Sequence, residues 1–114
     1  MKERQNLKFI ITMWGDWKIT GEYAEAASAG AKIIFKYSAQ KVFLVASANA
    51  TVRATILRDG EPLSAGAGSD VKDSAVEFKN EDLYRLIEDS GGEEHLLEII
   101  MDKPGARAFA FTFG

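Results

Sequence analysis

The sequence predicts an all-β sandwich built as a single domain. Short runs of alternating apolar and polar residues recur about every ten residues with turn signals between them, the spacing of a sandwich. No strand–helix–strand repeat typical of a parallel sheet is visible. With 114 residues, the chain is near the commonest size of one domain and too short for two.

The middle of the chain contains three predicted strands. Alternation over 33–37 predicts a half-buried strand, and the continuous β-favouring run 42–45 predicts a strand covered on both faces. A third alternating run, 51–56, leads into Asp59-Gly60. Asp-Gly is among the strongest hairpin signals because both central positions of the turn need positive φ.

The last third predicts a loop and two further strands. Residues 64–70 form a loop by composition, and 76–78 give a short alternating strand. The segment 107–113 is the clearest strand, with small residues between larger ones. Its larger residues are expected on one face: Arg107, Phe109, Phe111 and Phe113. We therefore expect an interior strand, with Phe109 and Phe111 in the core.

Three segments are ambiguous by local pattern. Residues 80–87 read as a helix, with an N-cap residue, acids in the first turn and apolar residues at helical spacing. The Ala-rich segment 23–29 and the apolar segment 95–101 fit either helix or strand. The all-β prediction therefore depends on tertiary pairing in these three places.

The N-terminal segment is interpreted separately from the sandwich. Residues 1–13 are expected to be a lead-in segment with a candidate first strand, and residues 14–114 the sandwich. Lys8 interrupts the only N-terminal apolar run, which argues against a signal peptide. No apolar run approaches the ~20 residues of a membrane helix, so no membrane insertion is expected.

Charge and cysteine content exclude several functions. The net charge of −3 argues against nucleic acid or an anionic membrane as a partner, since both attract basic proteins. The absence of cysteine removes disulfides, thiolate nucleophiles and the C-x-x-C redox motif. The sequence also predicts no cofactor.

The residues predict no catalytic centre. His95 is the single histidine and is interpreted as a surface residue before a strand, and no serine lies in a nucleophile motif. Asp70 and Asp73, beside a glycine-containing loop, are weak candidates for a hard cation such as calcium. A solvated loop is the simpler interpretation, so no metal is expected and the chain is not expected to be an enzyme.

Aromatic residues near the N-terminus suggest binding. Trp14 and Trp17, with Tyr23 shortly after, offer flat rings of the kind that stack on sugars or other apolar faces. The alternative is that at least one of the two tryptophans fills the core.

Several motifs together resemble a known family. They are Trp14-x-x-Trp17 with Glu22-Tyr23, Phe35-x-Tyr37-x-Ala39-x-x-Val42-x-Leu44-Val45, Asp59-Gly60-x-Pro62, Gly68-x-Asp70-Val71, Leu83-Tyr84-x-Leu86 and the ending 108–114. This set is similar to the C-terminal domain of DipZ-type proteins, bacterial cytochrome c biogenesis and thiol-disulfide proteins in which it follows a thioredoxin-like domain. The resemblance implies a jelly-roll sandwich similar to carbohydrate-binding modules, a strand at 83–87 and a location outside the cytoplasm, in the periplasm or beyond.

Two functions follow from these observations. The first is a carbohydrate-binding accessory module, and the alternative is a structural or protein-interaction module that docks a thioredoxin-like domain. The candidate ligand-binding residues are Trp14, Trp17, Tyr23, Tyr84, Arg85 and Arg107. An exposed aromatic platform beside polar groups favours the first function, whereas a contiguous apolar patch favours the second.

Overall fold

A computed structural model describes residues 11–114 and shows two antiparallel sheets packed face to face. Every regular element in this range is a strand, and none of it forms a helix long and apolar enough to cross a membrane. The eleven strands are β1 Ile11–Trp14, β2 Trp17–Ile19, β3 Ala24–Ala26, β4 Lys32–Ser38, β5 Lys41–Ala48, β6 Val52–Arg58, β7 Glu61–Pro62, β8 Ala75–Phe78, β9 Asp82–Glu88, β10 Glu94–Met101 and β11 Ala106–Phe113.

The strand order is that of a jelly roll. The first sheet runs β1-β4-β10-β6-β7, with β8 also paired to β6, and the second runs β2-β3-β11-β5-β9. Without the short β1, β2 and β7, eight strands remain. Counted along the chain, they lie in the orders 2-7-4-5 and 1-8-3-6, the arrangement of a double Greek key. The prediction of an all-β jelly-roll sandwich is confirmed.

The core lies between the two sheets and is filled from alternate positions of their strands. Phe35 and Ile99 of the first sheet and Leu44 of the second are at most 2% exposed. Their neighbours along each strand are half-buried or exposed, as expected where one face of each sheet is buried.

The predicted hairpin is present between β6 and β7. Asp59 and Gly60 have φ values of 55° and 83°, and Arg58 pairs with Glu61 across the turn. Positive φ at both central positions is the requirement that the Asp-Gly pair satisfies.

The three ambiguous segments are all strands where they are regular. The helix-like segment 80–87 contains all but the last residue of β9, which pairs with β5 and buries Leu86 and Ile87 completely. Two buried side chains in succession fit a strand whose pairing with β5 shifts register. Local helix propensity is here overridden by cross-strand pairing and burial, as the family resemblance implied.

The predicted face of the last strand is wrong in part. β11 lies inside its sheet as expected, but its register with β5 shifts between Ala108 and Ala110. Phe111 pairs with the buried Leu44 of β5 and packs against the core, whereas Arg107 pairs with Ser47. Leu44 and Ser47 are three residues apart on β5, and an odd separation along a strand puts Phe111 and Arg107 on opposite faces of the sheet. Phe109 is the extra residue of this bulge and is not paired with β5.

The start of the chain is described only from Ile11. β1 pairs antiparallel with β4, Ile11 lying opposite Phe35 and Trp14 opposite Lys32. The rest of the predicted lead-in and candidate first strand, 1–10, lies outside the described residues.

Candidate functional site

The outward side of the second sheet gathers aromatic and basic side chains. Val42 and Leu44 are buried in the core, so Phe43, between them on β5, points outward. Cross-strand partners share a face, which places Arg85 of β9 and Thr112 of β11 beside Phe43. We call this surface the outer face: Tyr23, Glu25, Phe43, Val45, Leu83, Arg85, Arg107, Phe109, Ala110 and Thr112.

Arg107 is the centre of a cluster at one end of the outer face. Its guanidinium carbon lies 5.5 Å from the centroid of the Tyr23 ring, and the Tyr23 and Phe109 centroids are 5.5 Å apart. Its Nε donates to Glu25 Oε1 at 3.2 Å, and one terminal nitrogen donates to Asn49 Oδ1 at 3.3 Å. The guanidinium is therefore held by an ion pair, an amide and a cation–π contact.

The bulge in β11 and a tight turn place the two rings of this cluster. Phe109 contacts Tyr23 from the extra position of the bulge. Tyr23 follows a turn in which the Thr20 hydroxyl accepts hydrogen bonds from the backbone N–H groups of Glu22 and Tyr23, both at 3.1 Å. Thr20 N–H in turn donates to the Tyr23 carbonyl at 2.9 Å. Local hydrogen bonds thus fix the ring that Arg107 covers.

A second arginine–aromatic pair lies further along the same face. The Arg85 guanidinium carbon is 5.8 Å from the Phe43 ring centroid. Asp70 accepts a hydrogen bond from the Arg85 backbone N–H at 2.7 Å, and its carboxylate is 3.8 Å from the Arg85 guanidinium. This metal candidate is therefore bound to β9. Within residues 11–114, no three His, Asp or Glu side chains are grouped to hold a metal ion, around Asp73 or elsewhere.

The two tryptophans lie on edge strands, Trp14 on β1 of the first sheet and Trp17 on β2 of the second. Trp14 ends β1 and is 58% exposed, with Lys32 Nζ 5.7 Å from its ring centroid. Trp17 begins β2, packs against the core and donates from its indole N–H to the Trp14 carbonyl at 2.8 Å. One tryptophan thus packs inward while the other stays exposed, and neither belongs to the outer face.

Residues 3–114 match the family model described as "Thioredoxin like C-terminal domain". The chain belongs to this thioredoxin-like C-terminal domain family. The match agrees with the family-level part of the resemblance drawn from the sequence motifs. No curated protein matches the chain significantly.

Solved structures show where else the fold of this thioredoxin-like C-terminal domain occurs. A family two carbohydrate esterase from Clostridium thermocellum, in complex with cellohexaose, superimposes with a TM-score of 0.75 at 13% identity over 92% of this chain. A family two carbohydrate esterase from Cellvibrio japonicus gives a TM-score of 0.75 at 12% identity, also over 92%. The domain covers only 31% and 32% of those chains, and at these identities the likeness shows the fold alone.

Tyr84 of the thioredoxin-like C-terminal domain serves the fold. Its hydroxyl donates to the Asn80 carbonyl and accepts from Lys79 N–H, both at 2.8 Å, and its ring meets Phe78 edge-on at 5.0 Å. The hydroxyl thereby closes the turn between β8 and β9, so Tyr84 does not join the other candidates on the outer face.

A polar cluster at one end of this domain was not predicted from the sequence. His95 was expected before a strand but lies within β10, and its Nδ1 is 2.7 Å from Asp59 Oδ2. Arg58 donates to Asp89 at 2.8 Å and to Tyr37 at 3.4 Å. These partners are 21 to 36 residues apart in sequence, so no local motif links them. The Asp59-Gly60 turn was the one available signal.

The ionisation of this cluster follows from its hydrogen bonds. Two hydrogen bonds lower the pKa of Asp59. The larger effect comes from the backbone N–H of Leu96 and the next from the His95 ring. The pKa of Asp89 is lowered mainly by the hydrogen bond from Arg58 and next by the hydrogen bond from the backbone N–H of Ser90. Burial raises the pKa of the Tyr37 phenol, against the opposing effect of Arg58. Both carboxylates are therefore stabilised in their charged form.

Proposed function

We propose that this domain is a non-catalytic module that binds carbohydrate on its outer face. The observation that supports this most directly is the Tyr23–Arg107–Phe109 cluster, two aromatic rings beside an ordered guanidinium. A sugar offers a C–H face to a ring and hydroxyls to nearby donors. Of the five guanidinium N–H donors, Glu25 and Asn49 occupy two, which leaves three for a ligand.

The length of the outer face favours an oligosaccharide over a single sugar. Ser47, opposite Arg107, and Phe43, beside Arg85, are four residues apart on β5, roughly 13 Å at the usual rise of a strand. The two arginine–aromatic pairs thus lie at separate points of one sheet. Between them are the shorter side chains of Val45, Leu83 and Ala110, over which an extended ligand can lie.

The remaining support is structural. The fold is shared with two carbohydrate esterases, one of them solved in complex with cellohexaose. We assign no catalytic role because the single histidine, His95, is paired with Asp59 in the polar cluster, apart from the outer face. The one carboxylate of the outer face, Glu25, is paired with Arg107, and such a face fits an accessory module.

A second candidate function is docking of a thioredoxin-like domain. The exposed large apolar residues Ile11, Trp14 and Ile19 lie on β1 and β2, at the edge where the chain passes from one sheet to the other. The family description is consistent with a thioredoxin-like partner. The resemblance to DipZ-type proteins favours the same partner and a location outside the cytoplasm. Exposed apolar groups at one edge are typical of an interaction surface.

The test separates the two faces. Cellohexaose and a panel of other neutral oligosaccharides are titrated into the wild type, Tyr23→Ala, Arg107→Gln and Trp14→Ala by isothermal calorimetry, with circular dichroism to confirm folding. We expect at least a tenfold loss of affinity for Tyr23→Ala and Arg107→Gln and no change for Trp14→Ala. The docking function replaces the carbohydrate one if no oligosaccharide binds at millimolar concentration, a thioredoxin-like domain does bind, and Trp14→Ala abolishes binding of that domain.

A further inference from the structure

A polar cleft lies beside the short strand β8, and its lining residue Asp70 contacts Arg85 at the border of the outer face. Its volume is about 620 Å³, within the range of small-molecule sites. Its lining comes from β6, β8, the loop that enters β8, the turn before β9 and the start of β9, and it includes three basic and four acidic side chains. Sites for apolar ligands are lined mainly by hydrophobic residues, so this cleft suits a polar ligand.

Two basic residues flank the floor of the cleft. Lys72 bridges to Ala75, which lies opposite Thr55 of β6, and Arg53 lies opposite Glu77 in the next row on the same face. Rows two residues apart on a strand are roughly 7 Å apart, so both basic side chains can reach one ligand. In residues 11–114, neither Arg53 nor Lys72 forms an ion pair.

The acidic residues of the cleft are partly engaged. Asp70 is held by Arg85, and Glu77 lies 3.9 Å from Lys79. Asp73 takes part in no ion pair within the described part of the chain, and Asp82 caps the backbone N–H of Leu83 through Oδ1. The cleft thus offers hydrogen-bond acceptors beside two cations that form no ion pair with any residue of 11–114. These acceptors carry negative charge, which disfavours a doubly charged anion.

We propose that this cleft binds a sugar acid, a carboxylic acid that also carries several hydroxyl groups. Its carboxylate lies between Arg53 and Lys72, where charge-assisted hydrogen bonds form. Its hydroxyls donate to Asp73 and Asp82 and accept from the Asn80 amide. The Tyr84 hydroxyl is already used within the turn and its ring packs against Phe78, so recognition here depends on the charged and amide side chains of the lining, in contrast to ring stacking on the outer face. The cleft and the outer face have no residue in common, so a negative result for one proposal does not contradict the other.

The test uses galacturonic acid and its trimer, with galactose and inorganic phosphate as comparisons. Binding is followed by calorimetry and by backbone amide NMR shifts in the wild type, Arg53→Gln, Lys72→Gln, Lys103→Gln and Tyr23→Ala. The two cleft positions and the control Lys103 are exposed, so these substitutions leave the core intact.

We expect galacturonate to shift the amides of Ala75 and Asn80 and to bind at least tenfold more weakly to Arg53→Gln and Lys72→Gln. Lys103→Gln and Tyr23→Ala should bind as the wild type does. Equal affinity for galactose, displacement by phosphate at the same concentration, or no shift at tens of millimolar galacturonate would each overturn the proposal.

Discussion

Asp59 accepts a hydrogen bond from His95 Nδ1 at 2.7 Å, joining the turn after β6 to the neighbouring strand β10. The other carboxylate oxygen accepts from the Leu96 backbone N–H at 2.9 Å. An ionised carboxylate only accepts, so the histidine supplies the proton of this bond. One side chain of a two-residue turn thereby fixes the position of the turn against the sheet.

Asp59→Asn should make stability less sensitive to acid. Because the folded-state pKa of Asp59 is lowered, its contribution is complete above the unfolded pKa, about 3.9, and is lost as pH falls through the folded value. Asn-Gly suits the same turn, so the substitution removes the charge without disturbing the backbone. Thermal unfolding between pH 2 and 7 should give a shallower acid limb than in the wild type. An unchanged limb would show that the Asp59 bonds do not contribute.

Asp89→Asn should destabilise the domain at neutral pH. The Arg58 side chain is 15% exposed, and the Asp89 carboxylate is its ion-pair partner at 2.8 Å. An asparagine keeps one acceptor but loses the charge, at a cost of about 1 kcal/mol. Below the folded pKa of Asp89, which Arg58 depresses, wild type and variant should converge. Urea unfolding at pH values from 7 down to 2 measures both quantities, and a gap that stays constant over this range would contradict the assignment.

Gly60→Ala should cost about 1–2 kcal/mol, while Gly21→Ala should be nearly neutral. Both glycines have open space where a Cβ would be added, but only Gly60 has a positive φ, at 83°. The difference between the variants isolates the left-handed backbone of the hairpin turn. Chemical denaturation gives the free energies of unfolding, and equal losses in the two variants would mean that backbone strain is not the cause.

Tyr84→Phe should reduce stability by about 1–2 kcal/mol and leave ligand affinity unchanged. The phenol makes two backbone hydrogen bonds in the turn between β8 and β9, and phenylalanine leaves both backbone groups without that partner. Calorimetric unfolding and oligosaccharide titration together check this. A loss of affinity with no change in melting temperature would instead assign Tyr84 to binding.

Phe111→Ala should mainly reduce stability, whereas Phe109→Ala should mainly reduce ligand binding. Phe111 packs against the core, so its truncation should cost about 2–3 kcal/mol, below the cost of a fully buried phenylalanine. Phe109 contacts Tyr23 on the outer face, so its truncation should cost about 1 kcal/mol and weaken oligosaccharide binding. Urea unfolding and calorimetry distinguish them. Similar losses of stability in both variants would place Phe109 in the core as well.

The sequence was sufficient wherever the cause of a structure is local. The hairpin depends on two adjacent residues, and the alternation over 33–37 reports directly which side chains are buried. The bulge in β11 could not be predicted, because it depends on the register with β5 and leaves no mark in an alternating strand. Residues 80–87 carry a genuine helical signal, which only the pairing with β5 overrides.

The grouping of the candidate site residues depends on the fold for the same reason. Tyr23 and Arg107 were both named, but their contact spans most of the chain and required the fold. The sequence did not predict that Phe43 and Phe109 lie on the surface, because hydrophobic side chains in strands are ordinarily assigned to the core. The pairing of Asp59 with His95 depends on a side-chain contact across 36 residues, for which no motif exists.

The jelly-roll order also has a consequence for biosynthesis. β10 lies between β4 and β6, and β11 lies between β3 and β5, so each sheet receives a central strand from the last part of the described chain. Until β10 and β11 have been synthesised, the edges of β4 and β6 and those of β3 and β5 that face these two strands stay unpaired. Such non-local pairing slows folding and leaves strand edges open to other chains. Ribosome-bound intermediates of this domain should therefore depend on chaperones until the final strand emerges.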